Sequence, residues 1–472
     1  MAGTEVSHDQ HEAVTKLRNV TYCCRSRLSW FSWVFPWFVL GLGVYTSICV
    51  VVLGMNPRLC FAVPPVAKDP VLSAVEVSSA ARAEGSSGFS VSLAARSAVA
   101  RSTLGEVAIP SDAEEVWRYS RVGDISFAEF SGSAGSHDRT VLRYSERKGL
   151  TVLQGAGVSS ETVGQLLPDS TDAFTQASIA FLGDVTSIEV GAGVSVSEAI
   201  HIDRVVKTAG IIFGTRLVIS IGAQGECTII ERLSSDDVDS LVLPMTEIRL
   251  AQGARLRYIT VQELGASARQ IAMTVCETAA DATLSTMAVA LGGSYARLRN
   301  DARIVGKGAH NELLAVYFGE GEQMHDFRTT QDHIAPKSTS ELVFKGAVKD
   351  SSRSVYSGLI RIGEDARGTV ANQTNRNLLL SANAAAESVP NLEIENNDVK
   401  CSHASAVGPI DEDHRYYLES RGVPSDVAER LIVLGFFAEL LERIPDVALR
   451  AELTASVTAK FDRRSNLVGV EL

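Results

Sequence analysis

From about Ala177 to Lys400 the apolar residues come in short β-branched runs broken by Gly, Asp or Asn. Val185-Thr186-Ser187-Ile188-Glu189-Val190, Arg216-Leu217-Val218-Ile219-Ser220-Ile221 and Glu341-Leu342-Val343-Phe344 have strand composition and are only a few residues long. A 3.6-residue helical period is weak over this region. A turn-then-strand pattern recurs instead. Gly253-Ala254, Asp281-Ala282 and Gly308-Ala309 each precede such a run at intervals of about 28 residues, and Asp365-Ala366 falls roughly two periods later. Gly222-Ala223 and Gly191-Ala192 extend the series upstream. A fixed period of this size predicts a solenoid, because one coil is too thin to bury its own apolar face and must stack on its neighbours. Short strands with small residues at the corners suit a parallel β-helix, where Gly, Asp and Asn accept tight backbone turns. A β-sandwich with similar turn spacing is the competing and weaker reading.

Both flanks of the repeat read as helical, and the open strand edges of a solenoid need capping. Asp411 can cap a helix through about Ser420, ended by Gly422. Pro424 and Ser425 open a second helix, whose apolar positions Val427, Leu431, Leu434, Leu441 and Ile444 follow helical spacing, widened by Phe437 and Leu440. Pro445 and Asp446 break it, and a third helix runs to about Phe461. That stripe is available to a partner as well as to the domain's own core. The expected organisation is an apolar extension over 1–55, an N-terminal helical and linker region over 56–175, a β-helix core over 176–400 and a C-terminal helical domain over 401–472.

The N-terminus stands apart. No charged residue occurs from Leu28 to Met55, a run long enough to cross a bilayer, with Trp30, Trp33 and Trp37 near one end and Lys16, Arg18, Arg25 and Arg27 before it. A membrane anchor, a cleaved segment and a chain that starts at Met55 are the three readings, the last being favoured. Residues 63–104 are Ala/Ser-rich and carry little information.

The chain has 472 residues, 45% hydrophobic and 21% charged, enough for two or three domains with a large core. A net charge of −12 argues against nucleic acid as a main partner. Cys23, Cys24, Cys49 and Cys60 crowd the start, and only Cys227, Cys276 and Cys401 follow. Such sparse cysteine is not a disulfide framework and fits a reducing, cytoplasmic compartment.

The stretch with the most specific chemistry is Asp398-Val399-Lys400-Cys401-Ser402-His403, at the junction of repeat and helical domain. In extended chain, positions two apart share a face, so Cys401 and His403 place a thiolate and an imidazole side by side. Both bind iron, copper or zinc. Two ligands make an incomplete site, which leaves completion by another chain or a buried structural thiol. His325-Asp326 with Asp332-His333 could ligate a metal or do acid–base work, or simply decorate a solenoid turn. His137, His201, His310 and His414 are isolated. The chain has no G-x-x-x-x-G-K-[ST], G-x-G-x-x-G after a strand, H-E-x-x-H or G-x-S-x-G.

The series His325-Asp326, His333-Ile334-Ala335-Pro336, Ser340, Lys345-Gly346, Asp350 and Gly358 resembles the core signature of the SufB/SufD family. So do Asn375-Arg376-Asn377-Leu378-Leu379-Leu380-Ser381, Pro390-Asn391-Leu392-Glu393-Ile394, Asp398 to His403, Val407-Gly408, Asp411-Glu412, Tyr417-Leu418 and Ser420-Arg421-Gly422. Upstream, Glu115-Val116-Trp117-Arg118-Tyr119 resembles the family's N-terminal Trp-Arg motif. The likeness covers roughly residues 110–460 and not the first sixty. Cys401-Ser402-His403 resembles the SufD form, since SufB subunits usually carry Cys-Glu-His; Ala404 and Ser405 stand where Gly-Ala or Gly-Asn is common. The resemblance implies a right-handed parallel β-helix flanked by helical regions, acting as a scaffold for iron–sulfur cluster assembly and not as an enzyme. It implies pairing with a SufB-like subunit through the β-helices and docking of a SufC-like ABC ATPase on the C-terminal helices around Val423 to Ile444. A cysteine desulfurase would act indirectly, and reduced flavin is associated with such complexes. His403, and less strongly Cys401, would be ligands for a nascent cluster at the subunit interface. A β-helix enzyme acting on polysaccharide through Asp326 and Asp332, and a membrane-anchored solenoid, are the competing functions.

Overall fold

The computed structural model describes residues 77–78, 91–130, 138–169 and 171–463, all within the unit Leu72–Leu472. The apolar run Leu28–Met55, the extension 1–55 that contains it, the four early cysteines and His137 lie outside the described residues. Among the described residues no helix is long and apolar enough to cross a membrane.

Strands from Leu182–Val190 to Val399–Pro409 alternate between a nine-stranded and a ten-stranded sheet and pair in parallel within each. Sixteen strands, two per coil, make eight coils of a parallel β-helix. The corners explain the repeat. Gly193, Gln224, Gly253, Asp281, Gly308, Lys337 and Gly368 all have left-handed backbone, spaced about 27 to 31 residues apart. Each donates its N–H to a carbonyl one coil further on, as Gly253 does to Ala280 and Lys337 to Arg367. The turn pair expected at Asp365-Ala366 is therefore displaced: the equivalent corner residue is Gly368, followed by fully buried Thr369. The missing period is filled by Lys337-Ser338, where a lysine takes the left-handed place and a buried serine replaces alanine.

The flanking helices cover faces, not the last coil. Trp117, Val122, Ile125, Phe130 and the helix Ala173–Ala180 pack on the outer side of the nine-stranded sheet, against Leu243, Met245 and Met273. The C-terminal helices Ser425–Leu441 and Val447–Asp462 bury Val433, Phe437, Leu440 and Leu453 on the outer side of the ten-stranded sheet, against Val289, Val316 and Phe318. Buried on both faces, the middle strands are nearly continuously apolar. His310–Gly319, for example, is buried at almost every position.

The two ends of the stack differ. At the start, Arg139–Arg143 and Leu150–Gln154 add antiparallel to the two strands of the first coil. These strands fall in the stretch expected to be helix and linker, and their β-branched cores (Thr140-Val141, Thr151-Val152) give the reason. At the far end, Ala385–Ile394 and Val399–Pro409 are the terminal strands of their sheets. The β-structure thus continues past Lys400, and Cys401 and His403 belong to the last strand of the β-helix. Asp411 follows it and accepts from the N–H groups of Asp413 and His414, which starts the helix Glu412–Ser420.

Candidate functional site: the open mouth of the bore

The site is set by the pleat of the last two strands of the ten-stranded sheet. Along Thr369–Leu379, buried Ala371, Gln373, Asn375 and Asn377 alternate with more exposed neighbours and face the bore. Cys401 pairs with Ala371 and His403 with Gln373, so thiol and imidazole continue the inward columns. Among the described residues no further coil covers them. Cys401 is half-buried against Ile360, Ile362, Ala366 and Ala371, and burial pushes its thiol pKa up. His403 is exposed, and its imidazole makes no hydrogen bond to any described residue. Val389, Ile394 and Val407 add uncovered apolar surface around the mouth, Val407 at 42%. The arrangement offers one soft and one borderline ligand on a single face, at a sheet edge whose backbone groups are free to pair.

The second histidine cluster does not assemble. Met324–His333 is a strand, so its pleat sends His325 and His333 into the bore and Asp326 and Asp332 outward. Both ring nitrogens of His333 lie 2.8 Å from the hydroxyls of Ser338 and Ser340, and burial lowers its pKa to about 4. His325 is wholly buried; desolvation first, then the Lys460 charge, lower its pKa to about 3. Asp332 is 3.6 Å from Arg361. Asp326, fully buried, accepts from Arg297 at 2.6 Å, Arg328 at 2.6 Å and Tyr295 at 2.9 Å. Those two arginines in turn bind the N-terminal segment. Arg297 donates to the Val116 carbonyl at 2.7 Å and stacks 3.8 Å from the Trp117 ring, and Arg328 donates to the Arg118 carbonyl at 2.6 Å. Asp326 is thus a keystone that ties the Trp-Arg segment to the solenoid, with no free oxygen for acid–base work. His201 is half-buried, His310 meets the Thr339 hydroxyl at 2.6 Å and His414 is exposed near Asp411. Among the described residues no group of three or more His, Cys, Asp or Glu is placed to hold a metal ion. Cys227 and Cys276 are buried core thiols, their pKa values raised by desolvation first.

The helical stripe divides in two. Phe437, Leu440, Leu441 and Ile444 face the solenoid, where Lys345 secures the helix by donating to the Phe436 carbonyl at 2.9 Å and pairing with Glu439. Val427 and Leu431 stay on the outside, Leu431 at 48%, and Tyr416 and Tyr417 of the preceding helix are exposed as well. Signature Gly346 has a different task. A Cβ there would lie 2.0 Å from the Tyr317 ring, so its bareness seats that ring. Sequence reasoning missed Asn311, Gln331 and Gln373, buried carboxamides with no hydrogen-bond partner among the described residues. Single amides carry no spacing signature that would have singled them out.

Comparison with known proteins fits this geometry. The family profile described as the SUF-system FeS cluster assembly SufBD core domain matches residues 205–436. An iron–sulfur cluster assembly SufBD family protein of Mycobacterium leprae is 29% identical over 360 residues, covering 74% of this chain and 90% of the relative. The iron–sulfur cluster assembly protein SufD of Escherichia coli is 27% identical over 374 residues, covering 74% and 88%. SufD of Bacillus subtilis is 34% identical over a shorter 161 residues, 34% of this chain and 37% of the relative.

Proposed function

The chain belongs to the SufB/SufD family of SUF-system iron–sulfur cluster assembly proteins, and from that premise we propose that it is a SufD-type scaffold subunit. Its cargo is a nascent iron–sulfur cluster, held where the open bore meets a SufB-like chain. His403 and Cys401 supply this chain's ligands. An exposed imidazole is free to take ferrous iron, whereas the half-buried thiol must first lose a proton that burial helps retain. The SufC-like ATPase docks on the outer face carrying Tyr416, Tyr417, Val427 and Leu431, since full burial of one such side chain contributes about 1.5–3 kcal/mol. Energy supply thereby sits outside this chain, in keeping with its lack of a phosphate-binding loop motif. The observation that carries the reading is the placement of Cys401 and His403 in inward columns of a last coil on which no further strand stacks among the described residues. The polysaccharide reading loses its support, because Asp326 is locked between two arginines.

The test is His403→Ala in the co-expressed complex. Assembly, followed by size-exclusion chromatography, should be unchanged, while the iron and sulfide retained per complex should drop severalfold. Normal iron and sulfide content in that variant would remove His403 from the site.

A further inference from the structure

Gln373 lies one coil beneath His403. The two are register partners on neighbouring parallel strands, with backbones about 4.8 Å apart and side chains on the same face. Gln373 is 1% exposed, yet neither polar atom of its carboxamide has a partner among the described residues. Leaving such a group unpaired in an interior is costly, and an apolar side chain of the same size would avoid that cost. The same inward column supplies Leu342 and Leu313 in the two coils below. The column therefore turns polar at the coil adjoining His403.

The neighbours of Gln373 narrow its possible partners. Leu342, below it, has no polar side-chain atom. Asn375 and Asn377, further along its own strand, are engaged with each other and with the Tyr317 hydroxyl, at 2.7–3.1 Å. On the opposite wall Gly358 is bare: a Cβ there would sit 2.1 Å from the Tyr356 hydroxyl oxygen and 2.8 Å from Gln373 Nε2. The missing side chain thus leaves the room that the carboxamide uses. The inward positions of the last two coils carry no carboxylate, ammonium or guanidinium. Directly above Gln373 on its own sheet is His403, its register partner; Ser388, whose buried hydroxyl also lacks a partner among the described residues, lies on the opposite wall.

We propose that Gln373 is the positioning residue of the mouth: a turn of the exposed His403 ring, which is unbonded in this structure, lets the amide oxygen of Gln373 accept the N–H of one ring nitrogen, leaving the other nitrogen, unprotonated, to face the cargo. A ligating histidine commonly donates its second nitrogen to such an acceptor, which fixes both tautomer and ring orientation. A carboxamide does this without adding charge to the bore. The assignment rests on the reading of His403 as a ligand and adds to it the residue that aims the ring.

The experiment uses the full chain carrying 15N-labelled histidine, at a fixed pH where free imidazole is neutral. The His403 signals are assigned by their loss in His403→Ala. Wild type should show one dominant tautomer, Gln373→Leu a mixture, and Gln373→Glu, which keeps the acceptor, a single tautomer again. Gln373→Met serves should the leucine variant not fold, since an unbranched chain fits an irregular space. In the assembled complex, the leucine variant should weaken ferrous iron binding about 10- to 100-fold and the glutamate variant should restore it. The same tautomer ratio in wild type, leucine or methionine and glutamate forms would overturn the assignment of Gln373. That failure is separable from failure of the site itself, which His403→Ala reads independently through iron and sulfide content.

Discussion

Asp326 shows how little a residue's neighbours in sequence reveal of its role. His325 and Asp326 are legible as a motif, but the pleat sends one into the bore and the other beneath Trp117. The carboxylate neutralises one of two buried guanidiniums, and those guanidiniums hold the carbonyls of Val116 and Arg118. Removing one member of a buried ionic cluster costs about 3–5 kcal/mol, because the charges left behind have lost their compensation. Asp326→Asn should lower the stability of the chain by about that amount in denaturant titrations. It should also open the bond after exposed Arg118 to trypsin well before the rest of the β-helix is cut. A variant that keeps wild-type protection at Arg118 would show that the Trp-Arg segment is held by something other than this keystone. Gln373 was illegible for a related reason. Its significance comes from which residue lies one coil above it, a relation spanning about thirty positions and set by the coil period.

The elements are unevenly legible in the sequence, and the unevenness has physical causes. The coil period was visible where Gly253, Asp281 and Gly308 occupy the left-handed corner, since these residue types adopt that backbone at low cost. It vanished where Lys337 does the same work, and it was misplaced where Ala366 precedes the true corner at Gly368. Strand alternation was faint because both sheet faces are covered, which also hid that the flanking helices lie on faces. The C-terminal helices were legible from Asp411, Gly422, Pro424 and Asp446, whose capping and breaking roles are local. Their apolar stripe could not say which half meets the solenoid. The division found here makes a prediction. Leu431→Asp, on the exposed half, should leave stability within about 0.5 kcal/mol of wild type. It should nevertheless weaken capture of the SufC-like ATPase at least tenfold in a pull-down titration. Phe437→Ala, on the buried half, should instead cost about 3–5 kcal/mol in stability. Undiminished ATPase capture by the aspartate variant would move the docking surface elsewhere.

At the scale of the whole coil stack, the asymmetry of its ends decides how the molecule can associate. Antiparallel strands close the first coil, whereas the last presents two sheet edges, and exposed edges invite a partner's strands. The two open edges are not equivalent. Ala385–Ile394 carries Pro390 in its middle, which lacks an N–H, and Glu387 and Glu393. Val399–Pro409 has no charged residue after Lys400 and is built of small side chains from Cys401 to Gly408, with His403 and Val407 the larger exceptions. It is the edge least defended against pairing, and it carries the candidate ligands. Its outward positions Ala404 and Ala406 are exposed, so lysine there should not disturb the bore. Lysine on an edge opposes strand addition because pairing would bring its charge against a second chain and strip its water. Ala404→Lys combined with Ala406→Lys should therefore leave the isolated chain's unfolding midpoint unchanged. The same change should abolish co-elution with the SufB-like subunit and, with it, cluster retention. Co-elution at wild-type affinity would mean that the partner covers the mouth without using this strand, and the cargo site would then need its remaining ligands from elsewhere in that partner.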